Sequence, residues 1–303
     1  MRLVNDLLTR TSFSIVIIGL VPFLFISAQC FAQSTTYEQS ILDWRQERVA
    51  SLKSENGWLN LAGLFWLEEG ENSFGAGKSN KIVYPEGKCA AQLGHFTLKN
   101  GEVWLNILPG AEVTANGHPV TAPLRIYPSE NPAAMQSGPL RWFVIKREDK
   151  YGIRLRDLEH AAVQSFTGID NYPVDSAWRV RAYLEPAVDK KIPIANVLGQ
   201  TLMLDCPGTL VFTLHGATYR LDALEEGEEL FIIFGDETSG VETYGAGRFV
   251  YAARPGADGF TTLDFNKAYN PPCAFTAFAT CPLPPRQNWL PVSVVAGERN
   301  WGH

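Results

Sequence analysis

Acidic, amide, basic and phenolic side chains crowd into three short stretches in the second half of this 303-residue chain. These residue types serve acid–base catalysis or the recognition of a polar ligand. The first stretch is Gly235-Asp236-Glu237-Thr238-Ser239-Gly240-Val241-Glu242-Thr243-Tyr244, directly after an apolar run at 230–234. A glycine-bounded acidic loop at a strand end suits a ligand or a hard cation, because carboxylate and hydroxyl oxygens serve both. It lacks the Asp/Asn spacing of a calcium hand, and a solvated turn explains the same residues. The second stretch, Tyr244-Gly245-Ala246-Gly247-Arg248-Phe249, offers Arg248 either to a ligand carboxylate or to an internal bridge with Asp236 or Asp264. Its Gly-x-Gly is not a dinucleotide fingerprint, which needs a strand before, a helix after and a third glycine. The third stretch runs over 264–270, and Arg286 and Asn288 join it. Asp264, Asn266, Lys267, Tyr269 and Asn270 combine acid, base and hydrogen-bonding roles, and Asn270-Pro271-Pro272 fixes the chain direction. The same groups can instead satisfy the backbone of their own long loop.

The ligand-binding candidates are therefore Asp236, Ser239, Glu242, Tyr244, Arg248, Asp264, Asn266, Tyr269, Asn270 and Asn288. No residue is assigned a catalytic role. A G-x-S-x-G nucleophile elbow is absent, and Thr238-Ser239-Gly240 does not replace it. His95, His118, His160, His215 and His303 have no partners at metal-ligand spacing, so no metal is expected and the cofactor is unknown. The loop that carries most of the candidates, 264–298, holds six prolines, a run of aromatics, and Cys273 and Cys281. Loops beyond about 12–15 residues are usually functional or disordered, and this one is too aromatic and too weakly charged for disorder.

Positioning those groups requires a scaffold, and the scaffold is preceded by a targeting pattern. Arg2 and Arg10 flank a polar start, residues 13–28 are apolar but broken by Gly19 and Pro22, and small residues follow near Ala32. Residues 1–32 are expected to be a secretory signal peptide; a retained anchor would need roughly 20 apolar residues without an internal proline. Lipid attachment at Cys30 is the lesser alternative, since Gln29 stands where a small residue is expected. The expected location is periplasmic or extracellular, with no stable membrane span after processing. Removal of residues 1–32 leaves Cys89, Cys206, Cys273 and Cys281. In an exported chain a Cys273–Cys281 disulfide is the favoured pairing, and buried reduced thiols are the alternative. The net charge of −6 and the lack of a Lys/Arg run argue against nucleic acid as a partner.

A helix is expected near 35–52, where Ile41, Leu42, Trp44, Val49 and Leu52 fall at near-helical spacing and Thr35 with Glu38 fits a capping box. From Trp58 to Leu158 the apolar period drops to two, and Asn100-Gly101 and Asn116-Gly117 mark tight hairpin turns. A second β region begins at Trp178, with strands expected at 202–204, 210–214, 219–221, 230–234, 249–251, 260–263 and 292–295. The fold class is mainly β: an N-terminal helix (33–56), an antiparallel β-sandwich (57–165), and a second antiparallel sandwich or barrel (166–303).

Several segments resemble the family known as domain of unknown function 1684. They are Gly57-Trp58-Leu59, Gly63-Leu64-Phe65-Trp66-Leu67, Phe74-Gly75 with Asn80, Phe234-Gly235-Asp236 and Thr238-Ser239-Gly240. Glu242-Thr243-Tyr244, Gly247-Arg248-Phe249, the run from Asp264 to Phe275, Cys281-Pro282-Leu283-Pro284-Pro285, Asn288 and Ala296-Gly297-Glu298 continue the match across nearly the whole chain after residue 32. The resemblance implies a β-rich, often exported protein and transfers no activity. The first β region, from Phe74-Gly75 through Asn116-Gly117, is also similar to a forkhead-associated sandwich, without the Arg and Ser pattern that binds phosphothreonine. The expected function is binding of a small molecule or envelope component through the C-terminal region. The alternatives are a hydrolase of an envelope glycan or ester using Asp236, Glu242 or Asp264, and a purely structural protein.

Overall fold

A computed structural model describes residues 22–130 and 133–301, with side chains from residue 36 onward. The chain divides into two units, residues 1–40 and 41–303. In the first, the described backbone is helical, and the Ser40 hydroxyl donates to the Tyr37 carbonyl at 2.6 Å. Helix α1 (Pro22–Lys53) starts well before the expected residue 35. A cap needs a non-helical residue, and the backbone at Thr35 is already helical, so the Thr35–Glu38 box does not start the element. The helix ends just before Asn56-Gly57, as expected. Residues 1–21 of the expected signal peptide lie outside the described residues. Among the described residues, no helix is long and apolar enough to cross a membrane.

The second unit opens with eleven strands: β1 (Leu61–Trp66), β2 (Gly70–Gly75), β3 (Ile82–Val83), β4 (Gly94–Lys99), β5 (Glu102–Ile107), β6 (Thr114–Ala115), β7 (His118–Pro119), β8 (Leu124–Tyr127), β9 (Met135–Ser137), β10 (Leu140–Arg147) and β11 (Lys150–Asp157). They form a six-stranded sheet in the order β1-β11-β10-β9-β6-β7 and a five-stranded sheet in the order β3-β2-β4-β5-β8. The expected hairpin turns are present: Asn100 and Gly101 join β4 to β5 with φ of 53° and 80°, and Asn116 and Gly117 join β6 to β7 with 49° and 81°. Such left-handed pairs match the strand twist, and Asn and Gly adopt them most readily. Aromatic contacts weld the two sheets. Phe74 on β2 meets Trp142 on β10 at 5.7 Å between ring centroids, and Tyr84 meets Trp142 at 5.4 Å. Burial of each large apolar side chain here contributes about 1.5–3 kcal/mol.

After the short helix α2 (Ala161–Ser165), nine strands follow: β12 (Arg179–Pro186), β13 (Lys191–Ala195), β14 (Thr201–Asp205), β15 (Gly208–Leu214), β16 (Ala217–Glu226), β17 (Glu229–Asp236), β18 (Arg248–Ala253), β19 (Phe260–Asp264) and β20 (Trp289–Leu290). The main sheet runs β18-β17-β16-β15-β12-β19, and β20 adds to β17 in parallel. The Thr261 hydroxyl on β19 donates to the Ala253 carbonyl on β18 at 2.7 Å, so the sheet is almost a closed barrel. Val180, Ala182, Leu210, Phe212, Leu221, Ile232, Phe234, Val250 and Phe265 belong to one buried cluster, which fills the barrel. Outside it, the β13–β14 hairpin and the loop around Cys281 cover Phe231, Ile233 and Phe249.

The strand expected at 292–295 is not formed. The Val294 amide donates to Asp236 and the Val294 carbonyl accepts from Arg248, so side chains satisfy the backbone groups that a ladder would use. The region 264–298 is likewise a chain of short turns, at Phe265–Lys267, Pro272–Ala274 and Arg286–Asn288, ahead of β20.

Candidate functional site

The Gly235–Tyr244 loop folds onto the barrel through Asp236 and Arg248. The Asp236 Oδ1 accepts from the Thr238 amide at 2.8 Å, the Thr238 hydroxyl at 2.6 Å and the Val294 amide at 3.2 Å. Its Oδ2 accepts from Arg248 Nη2 at 2.9 Å. Arg248 is fully buried and also donates to the carbonyls of Val294, Ala296 and Glu298. The internal bridge is the arrangement that forms, so neither charge faces a cleft. Ser239 takes part through its hydroxyl, which accepts from the Asp236 amide at 3.2 Å.

Three more candidates tie the long loop to the barrel. Asn288 is buried: its Oδ1 accepts from the Asp222 amide at 2.8 Å, and its Nδ2 donates to the carbonyls of Asp222 and Ile233, both at 2.9 Å. Asp264 accepts from the Asn266 amide at 3.0 Å and so caps the turn Phe265–Lys267. Asn266 in turn pairs with both backbone groups of Asp175, at 3.0 and 2.8 Å. At Asn288 and Asn266 a side-chain amide stands in for a missing strand neighbour, and at Asp264 a carboxylate caps a turn.

Glu242, Tyr269 and Asn270 lie around a different feature, a polar knot at the closing segment. There, residues 170–172, Asn270 and residues 298–300 are laced together. Asn171 bridges Glu298, the Arg299 amide donates to the Asp170 carbonyl at 2.8 Å, and the Asn300 amide donates to the Glu242 carbonyl at 2.9 Å. The Asn270 amide donates to Glu298 Oε2 at 2.6 Å, and Asn270 Nδ2 donates to the Arg299 carbonyl at 2.7 Å. Arg48 from α1 pairs with Glu298 Oε1 at 3.1 Å and donates to the Asn270 carbonyl at 2.9 Å. Burial pushes the Glu298 carboxyl up, against the pull of Arg48. At the rim, Glu242 accepts from the Tyr172 hydroxyl at 3.0 Å and from Arg299 at 3.3 Å. Tyr269 lies under the Arg48 guanidinium at 4.6 Å and stacks on Tyr251 at 6.2 Å; burial pushes its phenol up to about 12.

The knot is incompletely satisfied. The side-chain oxygens of Asn171, Asn270 and Asn300 are buried, and none has a hydrogen-bond partner among the described residues. Buried polar atoms are paired in the great majority of cases, so three unpaired acceptors on segments that bond to one another set this closing segment apart from the loop ties above. Arg48, Asn171, Tyr172, Arg299 and Asn300 were not among the sequence candidates. They come from the first helix, the segment between the two β regions and the final residues, and no local pattern unites them.

Tyr244 lies nearer the cysteines, and burial pushes its phenol up. Cys273 and Cys281 are adjacent but are free thiols, not the expected disulfide. Their backbone amides are exchanged instead: Cys273 N–H donates to Cys281 Sγ at 3.1 Å, and Cys281 N–H to Cys273 Sγ at 3.3 Å. Among the described residues, no group of three or more His, Cys, Asp or Glu could hold a metal ion. The largest of the surface grooves described, about 940 Å³, is lined by the turn between β5 and β6 with parts of β7 and β9, and by none of the ten candidates.

The fold and site thus define a mainly antiparallel β protein with a filled barrel and a polar closing segment. Residues 164–299 match a family described as protein of unknown function (DUF1684). An uncharacterized protein of Haloarcula marismortui, solved by solution NMR, is 34% identical, covering 46% of this chain and 80% of its own, with a TM-score of 0.39. The chain belongs to the DUF1684 family. The C-terminal segments that resemble the family fall inside the matched span, and those at 57–80 fall outside it. Two forkhead-associated domain structures, one from work on phosphothreonine-dependent interactions and one of the FhaA domain in a complex, are each 16% identical. They cover 31% of this chain and 92% and 97% of their own, each with a TM-score of 0.22. No curated protein matches the chain.

Proposed function

We propose that this is an exported binding protein that holds a hydroxyl-rich small molecule, such as a fragment of an envelope glycan, at the closing segment of its C-terminal β region. The observation that carries the reading is the set of three buried, unpaired amide oxygens on Asn171, Asn270 and Asn300. Ligand hydroxyls supply the donors those acceptors lack, and the exposed rim of Glu242 and Arg299 offers an acceptor and a donor beside them. Export rests on the pattern of residues 1–32, and it carries the Cys273 and Cys281 thiols into an oxidising compartment where a disulfide forms. Asp236 and Asp264 support binding over hydrolysis, because each already accepts hydrogen bonds that hold a turn in place.

Native mass spectrometry of the chain purified from an exporting host tests the proposal. The expected spectrum shows a bound small molecule that is lost on denaturation and is absent from the Asn171→Ala/Asn300→Ala variant. A bare wild-type chain that also fails to bind envelope oligosaccharides in calorimetry would overturn it.

A further inference from the structure

Arg154 is a buried cation on the first β region, where that region meets the loop carrying Cys273 and Cys281. It sits on β11 with 6% of its surface exposed, and its Nε is buried without a hydrogen-bond partner. No carboxylate pairs with it among the described residues; its guanidinium lies 5.8 Å from the Trp58 ring. Nearby Arg147 and Arg156 add further positive charge, and with burial, the larger cause, they push Arg154 down to about 10. An isolated buried cation is costly unless an anion stands beside it. The groups that act on Arg154 with the opposite sign are the thiols of Cys273 and Cys281. The loop carrying them is fixed over this strand pair, since Arg147 Nε on β10 donates to the Thr280 hydroxyl at 3.3 Å.

The two thiols are not equivalent. Cys273 is half-buried in the middle of the turn Pro272–Ala274, whereas Cys281 is 4% exposed. The hydrogen bond from Cys281 holds the Cys273 thiol down, the Cys281 amide and Arg154 add to this, and burial opposes it. Cys281 is pushed up by the same contact and by burial. Cys89 and Cys206 are also pushed up by burial. A half-exposed thiol held against a buried partner thiol, each sulfur accepting from the other residue's amide, is the arrangement of an exchange-active pair.

We propose that Cys273 and Cys281 form a thiol–disulfide exchange site, with Cys273 as the attacking thiolate beside Arg154 and Cys281 as the resolving thiol. The reactant is an accessible disulfide R–S–S–R′. Cys273 Sγ attacks one sulfur, the S–S bond breaks, and R′–S⁻ leaves and takes up a proton. Cys281, losing its proton, then attacks Cys273 Sγ, forming the intramolecular disulfide and releasing R–S⁻, which is protonated. Two electrons pass from the dithiol to the reactant disulfide, giving one protein disulfide and two small thiols. The site is independent of the ligand reading above.

The test uses the full chain, reduced with dithiothreitol and alkylated with iodoacetamide at pH 7, each cysteine being followed by peptide mass. Cys273 is expected to react at least about tenfold faster than Cys89, Arg154→Met to slow it roughly tenfold, and Arg154→Lys to keep the rate within about threefold. Because Arg154→Met can fail to fold, a second measurement stands apart from it. Oxidised glutathione is expected to leave a stable glutathione adduct on Cys273 in Cys281→Ser, and to give the Cys273–Cys281 disulfide with no adduct in the wild type. A Cys273 no faster than Cys89, an adduct-free Cys281→Ser, or a bond that dithiothreitol cannot open would overturn the proposal.

Discussion

Replacing Asp236 with asparagine tests whether the most conspicuous acidic loop is structural. The side chain keeps its shape, so the Thr238 and Val294 donors still reach an oxygen. The change falls on Oδ2, which accepts from Arg248 at 2.9 Å. An amide nitrogen there points donors at a donor and leaves a guanidinium with 0% side-chain exposure without its counter-charge. Removing one partner of a buried ion pair costs about 3–5 kcal/mol, because the charge left behind is uncompensated. At about 2–4 °C per kcal/mol for a chain of this size, the midpoint of thermal unfolding falls by roughly 6–20 °C. Urea unfolding followed by tryptophan fluorescence measures the loss directly. Adding Arg248→Met removes the stranded charge but leaves the Val294, Ala296 and Glu298 carbonyls without a donor. The double variant is therefore less stable than wild type, yet its loss is smaller than the sum of the single losses. A loss below about 1 kcal/mol for Asp236→Asn, or strict additivity in the cycle, would refute the reasoning.

Three further changes probe how the long loop is held. Asn288→Ala strips donors and acceptors from the backbone of Asp222 and Ile233, and is expected to cost about 3 kcal/mol in urea unfolding, since each buried group left unpaired costs about 1–3 kcal/mol. Gly297→Ala places a Cβ 2.3 Å from the Ala268 carbonyl at a φ of +77°, so the variant should lose more than about 3 kcal/mol or fail to accumulate folded chain, read by circular dichroism. At Asp222, burial raises the carboxyl pKa, but hydrogen bonds from Lys190, Thr209 and Gln287 outweigh it and leave it below its usual 3.8. The unfolded chain then binds the proton more tightly. The Asp222 contribution is complete above about pH 4 and is lost as pH falls through the depressed value. Unfolding free energies measured from pH 2.5 to 7 should therefore fall less steeply toward acid in Asp222→Asn than in wild type.

Much of the scaffold is written in short-range patterns. Asn100-Gly101 and Asn116-Gly117 announce their hairpins because their left-handed φ angles are a local demand, met whatever else the chain does. The barrel strands at 210–214 and 230–234 are visible for a similar reason, being apolar runs that a filled interior requires. Strand β13 was not among the expected strands, and it contains a proline; Pro193 is tolerated because the hairpin β13–β14 has only one hydrogen-bonded neighbour per strand. The expected strand at 292–295 failed for a non-local reason, as a buried arginine forty-odd residues away takes the Val294 carbonyl and Asp236 takes the Val294 amide.

The site was harder to read because residue type does not reveal whether a polar atom is already used. Asp236, Arg248, Asp264, Asn266 and Asn288 look like a recognition surface in the sequence, yet in the fold they replace backbone ladders across an irregular loop. Long loops that pack against a core need such substitutes, so polar density in the 264–298 region is what its irregular backbone demands. What singles out a place for another molecule is polarity left over after the backbone is served. Asn171 and Asn270 donate through Nδ2 and Asn300 through its backbone amide, and each keeps a buried side-chain oxygen idle. A loop tie removed costs stability at once. An idle group removed should cost little stability, because nothing in the folded chain leans on it. Asn300→Ala beside Asn288→Ala therefore separates the two kinds of residue: the first is expected to stay within about 1 kcal/mol of wild type, and a loss as large as that of Asn288→Ala would return the knot to the loop's own architecture.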